Sequence, residues 1–97
     1  MDVGVCEITL RLPENHSLKD KRRVVKSIIA RVRNDYNVSV AEVEGQEQWK
    51  LTTLGVTCVG NSARHLNEVL SKVVDFVGKS RLDAEMLNYE IEILPVF

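Results

Sequence analysis

Lys19, Arg22, Arg23, Lys26 and Arg33 are spaced so that one helix would carry all five on a single flank. With Val25 at zero and about 100° per residue, they fall between about 60° and about 160°. From Lys19 to Arg33 there are seven basic residues and one acid, Asp20, a net +6 in a chain of net −1. Acids at the three- and four-residue spacings that would neutralise them are nearly absent. Such a row suits an anion whose charges repeat along its length. RNA phosphates fit that description, with an attraction that weakens as salt rises. The plainer readings are a solvated helix face, or a patch that meets an acidic protein.

Other chemistry is thinly represented. His16 and His65 have no Cys or carboxylate at metal-ligand spacing. Cys6 and Cys58 lack the Cys-x-x-Cys spacing of a copper carrier. The segment Leu12-Pro13-Glu14-Asn15-His16 is acidic and has no glycine, so it cannot cradle phosphate as an acylphosphatase loop would. These absences lead us to expect a binding protein, not an enzyme, with no cofactor and no metal.

Composition bounds the class. Ninety-seven residues, 44% hydrophobic and 28% charged, make one domain, residues 1–97. No run approaches the about 18 apolar residues of a membrane span. Met1-Asp2-Val3-Gly4 lacks the basic start of a secretory signal. Two cysteines are no disulfide framework. A reduced, cytoplasmic protein without membrane contact is the expectation.

The elements that must position the cations follow from periodicity. In residues 3–12, Cys6, Ile8, Leu10 and Leu12 alternate with Glu7, Thr9 and Arg11, which predicts a strand stopped by Pro13. After a loop over residues 13–16, Ser17 is the N-cap of a helix to about Tyr36, with Asp20 in a capping-box-like position. Its buried stripe is Leu18, Val25, Ile28, Ile29, Val32 and Tyr36, and Asn37 is a left-handed terminator. Residues 38–44 and 49–59 form a hairpin around Gly45-Gln46-Glu47-Gln48. A second helix, capped by Asn61 or Ser62, buries Leu66, Val69, Leu70, Val73, Phe76 and Val77 and stops at Gly78. A last strand over residues 85–94 alternates Leu87, Tyr89, Ile91 and Ile93 with Asn88, Glu90 and Glu92.

The order β-α-β-β-α-β is the ferredoxin-like unit: α+β, a four-stranded antiparallel sheet with both helices on one face. Strands 1 and 3 are central. A register with pairs summing to 64 sets Leu10 against Leu54, Ile8 against Val56 and Cys6 against Cys58, making the cysteines adjacent and buried. Strand 1 has no aromatic residue and strand 3 only Trp49, at its beginning, so the stacking platform of a conventional RNA-recognition motif is not expected. Any RNA contact is then with the backbone.

With Cys6, Ile8 and Leu10 inward, Val3 and Val5 point outward on strand 1, and Trp49, Leu51 and Val59 on strand 3. An apolar open sheet face marks an interface, and a homodimer is one way to cover it.

The runs Ser17-Leu18-Lys19-Asp20-Lys21-Arg22 and Val38-Ser39-Val40-Ala41-Glu42-Val43, followed by Trp49, resemble the YlxP-like bacterial family of unknown function over nearly the whole chain. The resemblance implies a ferredoxin-like fold, a bacterial cytoplasmic protein and a loose link to translation, since such genes lie beside initiation and ribosome-binding factors. It brings no activity, cofactor or residue role, Glu42 and Trp49 included. The leading expectation is an accessory factor that meets RNA or a ribosomal subunit through the basic flank. The alternatives are a homo-oligomeric interaction module using its sheet face, and a small-molecule regulatory domain.

Overall fold

β1 (Asp2–Arg11) buries Cys6, Ile8 and Leu10 on one face and runs through the middle of the sheet, as its alternation requires. A computed structural model describes residues 1–13, 16–81 and 83–97. Glu14 and Asn15 of the expected loop, and Leu82, lie outside the described residues. After β1 come α1 (Leu18–Asp35), β2 (Ser39–Glu44), β3 (Leu51–Gly60), α2 (Ala63–Lys79) and β4 (Glu85–Pro95). The sheet order is β2-β3-β1-β4, every pair antiparallel. This is the expected ferredoxin-like fold. α1 packs over β2 and α2 over β1 and β4, so both helices cover one face.

The core lies between those layers. Val25, Ile28 and Val32 of α1 meet Leu66, Leu70, Val73 and Val77 of α2 over Ile8, Leu54 and Val56. Tyr36 and Phe76 close one end edge to face, with ring centroids 5.6 Å apart. The hydroxyls of Ser17 and Ser62 accept from the N–H groups of Asp20 (3.1 Å) and His65 (3.2 Å), so both N-caps are as expected.

Several details differ from expectation. β1 and β3 pair with indices summing to 62, so Ile8 faces Leu54, Cys6 faces Val56 and Cys58 faces Gly4. A slip of two residues keeps every side chain on its face. It sets Leu10 against Thr52, which is tolerated because the threonine hydroxyl has a partner below. The cysteines, free and buried, are diagonal neighbours instead of a facing pair.

Asn37 is not left-handed. The chain leaves α1 through Tyr36 in extended conformation and enters β2 directly. Gly78 is helical, and α2 ends at Ser80, whose hydroxyl donates to the Val77 carbonyl at 2.8 Å. β4 carries a bulge opposite Thr9 and Leu10, so Met86, not Leu87, points inward. Leu87 is consequently about half exposed; Tyr89 keeps the inward phase opposite Ile8 but is also about half exposed, on the edge strand of the sheet. Trp49 precedes β3, and Val38 precedes β2.

Candidate functional site

Helix α1 positions the cations through its burial. With Val25, Ile28 and Val32 held against the core, the flank about 100° away faces the β2 side of the molecule. Lys19, Arg22, Arg23, Lys26 and Arg33 are all exposed, as the spacing predicts. Arg33 Nη2 donates to the Val40 carbonyl at 2.9 Å, which ties that end of the row to β2. Lys19, Arg22, Arg23 and Lys26 have neither an ion pair nor a side-chain hydrogen bond among the described residues. Arg31 stands apart, over the Phe76 ring at 5.6 Å and donating to the Ser80 carbonyl.

Lys21 is the cation that sequence reasoning misplaced. It is fully buried. Its ammonium lies 2.7 Å from Glu42 Oε2 and donates to the Gly45 carbonyl. Thr52 Oγ1, also buried, donates to the same carboxylate oxygen at 2.6 Å. Gly45 has φ +84°, which turns its carbonyl toward the ammonium, and it opens the β2–β3 connection. Two signals could have found this cluster. Lys21 falls at about −40° on the same wheel, inside the apolar stripe. Glu42 shares the inward phase of Val40. The cluster fastens α1 to the hairpin and so fixes the rotation that exposes the other cations.

The opposite face of the sheet carries Val3, Val5, Leu51 and Val59 on the outward register, as expected. Val59 is 65% and Trp49 51% exposed, though Trp49 lies in the connection and not on the strand. The centre of this face is a shallow depression of about 780 Å³ floored by Val5, Ala41, Val43 and Gly55.

Burial holds the Cys6 thiol at about 11, with the neighbouring Cys58 and Glu7 adding to the shift. Burial also raises Cys58, against a smaller opposing effect of a backbone hydrogen bond with Gly4. Neither is a nucleophile at neutral pH. No helix among the described residues is long and apolar enough to cross a membrane.

A de novo designed protein, Foldit4, superposes over 100% of both chains with a TM-score of 0.54 at 13% identity, which speaks to the fold alone. The uncharacterized protein YlxP of Bacillus subtilis (strain 168) is 35% identical over 75 residues, 77% of this chain and 82% of that protein. The family described as "Protein of unknown function (DUF503)" matches residues 3–91. With that match spanning nearly all of β1 to β4, the chain belongs to the DUF503 family, whose function its description leaves open.

Proposed function

We propose that this protein is a small accessory factor that binds RNA, the RNA of a ribosomal subunit being the leading target, through the α1 flank. One observation carries the reading: Lys19, Arg22, Arg23 and Lys26 are exposed, lie along one side of one helix and have no internal partner among the described residues. Their position supports a role toward a partner. Lys19, Arg22 and Arg23 crowd the first turns of α1, where the helix dipole disfavours cations. Lys21 escapes that conflict by pairing with Glu42, and the other three do not. Sequences break local rules of this kind chiefly at functional sites. Contacts from such a row are to phosphates, so they supply affinity and little base selectivity.

The test is fluorescence anisotropy with ribosomal RNA fragments across a salt series, using the wild type and Arg22→Glu/Lys26→Glu. The reversal should weaken binding and flatten the dependence of log K on log salt, by a slope of about one for each lost phosphate contact. Absence of wild-type RNA binding at low salt, with no co-sedimentation on ribosomal subunits, ends this reading.

A further inference from the structure

On the open sheet face, an apolar floor and unpaired acids lie side by side. The depression floored by Val5, Ala41, Val43 and Gly55 is bordered by Glu7, Glu90 and Glu92. Its shape comes from a bulge in β2. Pairing shifts between Glu42 and Glu44, which leaves Val43 as an extra residue. Val43 leans over the sheet at Gly55, where an added Cβ would stand only 2.8 Å from Val43 Cγ1. The hairpin edge therefore forms one wall of the groove, and β4 forms the other.

The charge on the β4 wall is uncompensated. Glu7 and Glu90 face each other across β1 and β4, and Glu92 faces Val5. None of the three carboxylates has an ion pair or side-chain hydrogen bond among the described residues. Like charges directly across a ladder are unfavourable, so the pair Glu7–Glu90 costs the isolated protein stability. A cationic occupant would turn that cost into attraction.

We propose that this face docks a cationic amphipathic helix of another protein. Its apolar ridge, at spacings of three and four residues, would lie on Val5, Ala41, Val43 and Gly55, with its lysines or arginines against Glu7, Glu90 and Glu92. RNA is repelled here by the sign of the charge. A second copy packed sheet to sheet would bring both sets of carboxylates into one desolvated seam. The α1 helix of a second copy offers cations, but its apolar stripe of Val25, Ile28 and Val32 is already buried. The proposal does not rest on the RNA reading, which concerns the other side of the molecule.

The experiment uses a fluorescent synthetic amphipathic helical peptide of leucine and lysine, with a leucine–glutamate peptide as control, and the full chain. Wild type should bind the cationic peptide saturably and ignore the acidic one. Glu90→Lys/Glu92→Lys should lose about tenfold or more in affinity, the scale of effect expected for reversed interface charges. Amide chemical shifts of wild type should move at Val5, Glu7, Ala41 and Gly55, a readout that stands even if the variant folds poorly. Equal binding of both peptides, no saturable binding, or shifts confined to α1 would overturn the proposal. So would a concentration-dependent dimer of the free chain in sedimentation that the same double variant abolishes, since the occupant would then be a second copy.

Discussion

Lys21 Nζ and Glu42 Oε2 lie 2.7 Å apart, joining the first turn of α1 to the middle of β2 with the lysine wholly removed from solvent. A buried ion pair adds little over an apolar pair, yet a broken one strands a desolvated charge. Lys21→Met or Glu42→Leu alone should each cost about 3–5 kcal/mol. The double replacement should recover much of that loss. Urea denaturation of the four proteins in a double-mutant cycle measures the coupling. Additive costs would show that the two side chains act independently.

Gly45 bears on the same cluster. At φ +84° a Cβ would stand 2.7 Å from the Leu51 carbonyl oxygen. Gly45→Ala should cost about 1–2 kcal/mol for the left-handed backbone alone, and more for the contact. The loss should be smaller in a Lys21→Met/Glu42→Leu background, where the carbonyl of residue 45 has no ammonium to meet. Thermal unfolding in both backgrounds checks this.

Helix α1 separates structural from functional polar groups. Ser17→Ala removes the acceptor for the Asp20 N–H and should cost about 1 kcal/mol. Lys19→Gln/Arg23→Gln should leave stability equal or raised, because those cations oppose the helix dipole. Strong destabilisation by that double change in urea melts would make the cations structural and remove the support for RNA binding.

The thiols predict an alkaline limit. Cys6 has its folded value raised from 9.0 to about 11. A raised value means that the folded state holds the proton more tightly. The associated stability is complete below about 9 and is lost as pH climbs toward about 11. Stability followed by chemical denaturation should therefore fall across that window, and Cys6→Ala should flatten the fall. Native-state labelling with a thiol reagent at neutral pH should be slow at both cysteines; rapid labelling of Cys6 would contradict its burial.

The alternation of Cys6, Ile8 and Leu10, the stripe of Val25, Ile28 and Val32, and the caps at Ser17 and Ser62 determined the order and type of the elements. Each is a local pattern of period two or 3.6, and a buried face enforces it. The exposed positions of Lys19, Arg22, Arg23 and Lys26 were legible for the same reason. Tertiary structure decided what depends on partners distant in sequence. The β1–β3 register slipped by two because both registers bury the same faces, and Thr52 finds a hydrogen bond in the one adopted. The bulges at Val43 and Leu87 set which β2 and β4 residues face the helices, and no local pattern announces them. Lys21 counts as one more cation by composition. Only the arrival of Glu42, Gly45 and Thr52 over the α1 stripe makes its burial affordable and turns it into a fastener.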